Sequence, residues 1–108
     1  MVRSILRNVG YKNINQAVNG RMAVTDIRDT EIAYDLIICD WNMPGLTGLD
    51  VLKKVRDDEK TKDVPFLILT AEAEKEKVNA AIQNGVSDFL LKPFTPGILV
   101  EKVKQLLS

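Results

Sequence analysis

Two apolar runs constrain this chain more than any other feature: YDLIICD at residues 34–40 and VPFLILT at residues 64–70. Each is rich in β-formers, too short for an ordinary helix and closed by a polar residue, as expected of a parallel strand buried on both faces. A third and shorter run, FLL at residues 89–91, stops at Lys92-Pro93. Pro65 fits only the first positions of its strand, where a missing N–H does least harm.

Helical spacing fills the intervals. Leu49, Leu52 and Val55 mark one helix, and Val78, Ala81 and Ile82, closed by Asn84-Gly85, mark another. A last helix takes Thr95 as N-cap and Pro96 as its first residue, with Ile98, Leu99, Val103, Leu106 and Leu107 on its apolar side. Upstream, Val2, Ile5, Leu6 and Val9 follow the i, i+3, i+4, i+7 rule over residues 1–9, with Gly10 where a C-cap belongs. Residues 13–18 read as a short edge strand before an Asn19-Gly20 turn, and Ala23, Val24 and Ile27 mark a further helix. This alternation predicts an α/β fold with right-handed crossovers, a mostly parallel sheet and helices on both faces.

With 108 residues there is room for a single domain, read here as residues 1–108. Fifteen Lys plus Arg balance fifteen Asp plus Glu, so no global field favours nucleic acid or an anionic membrane. No apolar stretch approaches the roughly 20 residues that span a bilayer. One cysteine, Cys39, cannot form an intrachain disulfide and suits a reducing compartment, so the chain is read as cytoplasmic. The absence of histidine removes the commonest general base and transition-metal ligand. No GxGxxG or GxxxxGK[ST] motif occurs, so nucleotide binding has no support.

Each strong run ends in a polar residue: Asp40, Thr70 and Lys92. Open α/β sheets place ligand chemistry at the carboxyl ends of their strands, so adjacent strands would bring a carboxylate, a hydroxyl and an ammonium into one crevice. The plainer reading is that each residue marks where its strand reaches water. The three groups suit phosphoryl transfer to a carboxylate, with Asp40 as in-line nucleophile, Thr70 donating to a phosphoryl oxygen and Lys92 offsetting the added charge. Mg²⁺ would find two ligands in Asp40 and a backbone carbonyl of the following loop, that of Asn42. Trp41, after the acid in a loop, reads as an exposed indole, either incidental or a partner contact, and Glu72 to Lys77 reads as a solvated helix start.

The run DWNMPGLTGLDVLKKVR (Asp40 to Arg56), the TAEA at Thr70 to Ala73 and the KPF at Lys92 to Phe94 together resemble a response-regulator receiver domain of the CheY-like chemotaxis type. The resemblance covers the whole chain. It implies a flavodoxin-like three-layer sandwich with sheet order 2-1-3-4-5 and a two-component signalling role, in which a histidine kinase passes a phosphoryl group to Asp40. It further implies that Thr70 and Phe89 form the switch, that Lys92 contacts the phosphoryl group, that the Lys92-Pro93 peptide is cis, and that Mg²⁺ is the cofactor. An output protein would bind the face made by residues 74–83, 87–91 and 98–106.

The family's pattern opens with a hydrophobic strand that ends in an acidic pair holding Mg²⁺, whereas this sequence starts at the following helix. The metal site carried over is therefore incomplete, limited to Asp40 and the Asn42 carbonyl, and slow or absent phosphorylation is expected. The missing strand would be central in the sheet, so the chain on its own is expected to associate with further copies through exposed strand edges. An alternative function remains, an interaction module of the same shell that binds its partner whether or not Asp40 is phosphorylated. A small flavodoxin-like enzyme or cofactor binder is a weaker third reading, because fold alone does not fix function.

Overall fold

The most continuously apolar run takes the middle of the sheet. In the computed structural model, which describes residues 5–6, 10, 34–42, 46–71 and 75–107, strand β2 (Phe66–Thr70) lies between β1 (Ile37–Asp40) and β3 (Asp88–Leu91), all parallel. Every residue of β2 is buried. The register runs from Ile37 opposite Phe66 to Asp40 opposite Leu69, and from Leu67 opposite Asp88 to Thr70 opposite Leu91.

Alternation along β2 divides the core into two layers. Phe66 and Ile68 pack with Cys39, Trp41, Val51, Leu52, Val55 and Ala81, so helices α1 (Gly48–Asp57) and α2 (Lys75–Gln83) cover that face. Leu67 and Leu69 pack with Leu90, Leu99 and Val103, which puts helix α3 (Pro96–Leu107) on the other. Leu6, helical together with Ile5, joins this second layer. The expected three-layer α/β sandwich is thus present. Of the expected N-terminal elements, residues 1–4, 7–9 and 11–33 lie outside the described residues, and with them the edge strand at 13–18. Gly10 has the positive φ of +105° that suits a C-cap. No described strand pairs with β1 on the side away from β2.

Helix α1 starts where its sequence says it should. Thr47 Oγ1 accepts from the Asp50 N–H at 3.2 Å and Asp50 Oδ2 accepts from the Thr47 N–H at 3.0 Å, a reciprocal capping box. Those bonds to the ionised form hold the Asp50 carboxyl below its ordinary pKa, the backbone bond contributing most. Helix α2 ends in a Schellman motif: Gly85, at φ +87°, donates to Ile82, and Val86 donates to Ala81, both at 3.1 Å. Thr95 caps α3 through its hydroxyl, which accepts from the Ile98 N–H at 3.2 Å.

Some boundaries and faces differ from expectation. Pairing begins at Ile37 rather than residue 34, Pro65 lies just outside β2, and β3 gains Asp88. On α3 only the 99, 103, 106 stripe faces the sheet, leaving Ile98 and Leu107 exposed, because five apolar positions span a wider arc than one contact covers. Ile82 is likewise exposed, because Ala81 takes the contact with the core.

Candidate functional site

The backbone ladder runs one residue past two strand ends. Trp41 donates to the Leu69 carbonyl at 2.8 Å and Lys92 donates to that of Thr70 at 2.8 Å. Asp40 and Lys92 are therefore held at fixed places on either side of the end of β2. Two strand spacings, roughly 10 Å, separate their backbones, and the long lysine stem bridges that distance. The Lys92 ammonium forms an ion pair with Asp40 Oδ1.

By alternation from Ile38 and Leu90, both side chains lie on the α3 side of the sheet. Asp40 Oδ1 is buried at the atomic level, and apart from the Lys92 ammonium it receives no hydrogen bond. The Asp40 side chain as a whole is 43% exposed, so it remains open to a reactant. A pair this exposed contributes only about 0–1 kcal/mol to stability. The arrangement is better suited to placing a carboxylate beside a cation than to holding the fold together.

Thr70 closes β2 between these two residues and is 5% exposed. The plainer reading, a polar residue where the strand meets water, does not fit so buried a position. Its place in the alternation puts it on the Phe66 and Ile68 side, toward α1 and α2. Phe89 pairs with Ile68 across the β2–β3 ladder and packs half-buried on the same cluster. Thr70 and Phe89 are thus diagonal neighbours on one face. The Lys92-Pro93 peptide is cis.

Two neighbours of Asp40 define its surroundings. The Cys39 thiol, buried, is pushed up to about 12 by desolvation first and by the Asp40 charge second. It stays protonated at neutral pH, which withholds it from nucleophilic chemistry, and it donates to the Asp40 carbonyl at 3.4 Å. Trp41 corrects the expectation of an exposed indole, being 6% exposed. Sharing the parity of Cys39, it turns into the α1 side of the core, where its carbonyl accepts from Gly48 at 2.7 Å. Gly48 is needed for that approach, since a Cβ there would stand 2.7 Å from the Asp40 carbonyl oxygen and 3.0 Å from Trp41 Cα.

The Lys77 ammonium lies 5.8 Å from the centre of the Trp41 ring. The reading of Glu72 to Lys77 as a solvated helix start therefore fails at Lys77, while residues 72–74 lie outside the described residues. A signal for this was present: Lys77 stands four residues before the buried Ala81, so its stem follows the packed side of α2. Nothing in the sequence announced the need for glycine at position 48.

Asn42 is exposed beside Asp40. Among the described residues no three carboxylate, thiol or imidazole groups gather to hold a metal ion. One carboxylate and one carbonyl fall short of the six oxygen ligands that Mg²⁺ prefers, so the described residues alone do not fit that ion.

Residues 1–104 match the response regulator receiver domain family. Over its whole length the chain is 39% identical to chemotaxis protein CheY-3 of Vibrio cholerae, covering 82% of it. It is 38% identical to chemotaxis protein CheY of Pseudomonas aeruginosa, covering 86%. Among solved structures, CheY4 of V. cholerae superposes with a TM-score of 0.89 at 34% identity, over 99% of this chain and 87% of that one. The receiver domain of a P. aeruginosa sensor histidine kinase, with magnesium coordinated in its active site cleft, gives 0.86 at 28% identity, over 98% of this chain and 84% of that one. Among the described residues no helix is long and apolar enough to cross a membrane.

Proposed function

The chain belongs to the response regulator receiver domain family and is a CheY-like receiver of two-component signal transduction, and on that premise we propose that Asp40 is its phosphoacceptor. The observation that carries this reading is the Asp40–Lys92 ion pair across the end of β2. In the proposed reaction an Asp40 carboxylate oxygen attacks the phosphorus of a kinase phosphohistidine in line with the P–N bond. A P–O bond forms, the P–N bond breaks, and the imidazole nitrogen leaves with the bonding pair and takes a proton from water. Lys92 offsets the charge gathering on the phosphoryl oxygens. Any divalent cation at the site would contact Asp40 and the Asn42 carbonyl and would offset charge on the phosphoryl oxygens.

The switch then runs along one face of the sheet. Thr70 moves toward the phosphoryl group, and Phe89, its half-buried diagonal neighbour, turns into the space released. That change reaches a surface where Ile82, Leu91 and Ile98 are 60%, 51% and 45% exposed. Apolar side chains left in water on α2, β3 and α3 suit an output protein, and the partners are accordingly a histidine kinase and that protein. The whole chain acts as one signalling domain in the cytoplasm rather than as a conventional enzyme.

Intact-mass spectrometry after incubation with Mg²⁺ and acetyl phosphate tests the reading. A phosphoryl adduct that forms slowly on the wild type, as the incomplete metal site implies, and is lost in Asp40→Asn is expected. An adduct that persists in the variant places the acceptor elsewhere.

A further inference from the structure

Lys77 has no role in the reaction above, yet the fold seats it on the residue next to the acceptor. Its ammonium is 5.8 Å from the centre of the Trp41 ring. An ammonium within about 6 Å of an indole face is attracted by the ring's quadrupole, the more so where water is excluded, and Trp41 is only 6% exposed. The Trp41 backbone is already fixed by β2 and by α1, through Leu69 and Gly48 at 2.8 and 2.7 Å. Its ring is where α2 makes contact. Trp41 is thus joined covalently to Asp40, by hydrogen bonds to β2 and α1, and by a charge-dependent contact to α2.

We infer that Lys77 is a positioning residue that acts through the Trp41 ring, anchoring on α2 the strand end that presents Asp40. This rests on Asp40 being the acceptor. The Asp40 side chain and the Trp41 ring lie on opposite faces of the sheet, so the link between them is the backbone: a ring held by the Lys77 ammonium fixes the Trp41 main chain, and with it the carboxylate one residue before. Helix α2 follows β2, the strand that ends in Thr70, so the contact ties the acceptor to the helix leading into the exposed face at Ile82.

The test follows adduct formation over time on the full chain with acetyl phosphate and Mg²⁺, for wild type, Lys77→Met and Lys77→Arg. An Asp40 oxygen attacks phosphorus, the P–O bond to the acetyl group breaks, and acetate leaves with the bonding pair. Methionine keeps the packing of the stem and removes the charge, whereas arginine keeps the charge and stacks on the ring. Lys77→Met is expected to label about fivefold more slowly, the factor produced by ~1 kcal/mol, and Lys77→Arg to recover the wild-type rate. Equal rates in wild type and Lys77→Met, or Lys77→Arg no faster than Lys77→Met, overturn the inference and leave Asp40 as acceptor. Absence of adduct on the wild type overturns both together. The thermal midpoint is read alongside, and a loss shared by both variants would mark Lys77 as merely structural and also overturn it.

Discussion

The two ends of the sheet are built from the same strand–helix units and are held by different means. At the amino end, buried and half-buried groups are stitched by hydrogen bonds. Arg56 donates from Nε to Gly85 at 2.9 Å and from Nη1 to Val64 at 2.6 Å and Thr61 at 3.4 Å. Thr61 Oγ1 donates to Val55 at 2.7 Å, and Phe66 and Ser87 bond reciprocally at 2.9 and 3.0 Å. At the carboxyl end backbone bonds from Trp41, Lys92 and Gly48 hold the strand ends, and the side chains of Asp40 and Lys92 are joined by a half-exposed ion pair. The difference is one of purpose. Hydrogen bonds to carbonyls fix loops in one arrangement, whereas a carboxylate paired only with an ammonium keeps its capacity to bond something else.

The largest expected effects separate these ends. Asp40→Asn should abolish the phosphoryl adduct while shifting stability by less than about 1 kcal/mol, since the pair it breaks is exposed. Arg56→Ala should do the reverse. It strands carbonyls at the ends of two loops and should cost about 2 kcal/mol, lowering the thermal midpoint by roughly 10 °C, with labelling of the folded fraction unchanged. Burial lowers the proton affinity of the Arg56 guanidinium, with nearby Asp63 opposing that shift, but an arginine at neutral pH stays charged and keeps its donors. Thermal melts and intact-mass labelling on both variants check the pairing. If Asp40→Asn destabilised as much as Arg56→Ala, the contrast between the ends would collapse.

How far this contrast could be read from sequence follows from what each end is made of. The strand runs at 34–40, 64–70 and 89–91, the Thr95 cap and the Asn84-Gly85 stop were legible because they rest on local preferences: β-propensity, a hydroxyl that caps, a backbone that needs positive φ. Asp40, Thr70 and Lys92 were legible as strand ends for the same reason, and parallel order then made Asp40 and Lys92 meet. Contacts between distant segments were not legible. Arg56 reaching Gly85, Lys102 pairing with Asp88 at 2.8 Å and Lys77 over Trp41 each depend on how two helices settle on the sheet, which no local pattern states. Trp41 was misread because its position after the acid suggested a loop, while its backbone in fact continues the ladder and carries the strand's alternation one residue further.

Two glycines sharpen the comparison at smaller scale, one at each end. A Cβ on Gly48 would meet backbone, the Asp40 carbonyl oxygen at 2.7 Å, which cannot yield without moving Asp40. A Cβ on Gly85 would meet the Arg56 side chain at 3.2 Å, which can shift, and the residue's φ of +87° adds strain. Gly48→Ala should therefore reduce both the labelling rate and stability. Gly85→Ala should cost about 1–2 kcal/mol of stability alone. Equal labelling by the two variants would mean that the acceptor segment tolerates displacement, and the close approach at Gly48 would lose its significance.

The smallest expected effect lies at the start of α1, the helix whose first residue bonds to Trp41. Thr47→Ala removes the hydroxyl that accepts from Asp50 and should cost about 1 kcal/mol. The same change should alter the response to acid. In the folded chain the Asp50 carboxyl titrates below the ordinary value of 3.8, chiefly because the Thr47 backbone donates to it and then because its hydroxyl does. A carboxyl with a lowered folded pKa adds stability that is present above its unfolded pKa and is lost as the pH falls through the folded one. The wild type should thus lose a component of stability below pH 3.8. Thr47→Ala, retaining the backbone bond without the hydroxyl, should lose a smaller part of it. Urea melts of both proteins from neutral pH to acid measure the difference. If the gap between wild type and variant stays constant through that range, the cap acts on the helix alone and the hydroxyl does not contribute to ionising Asp50.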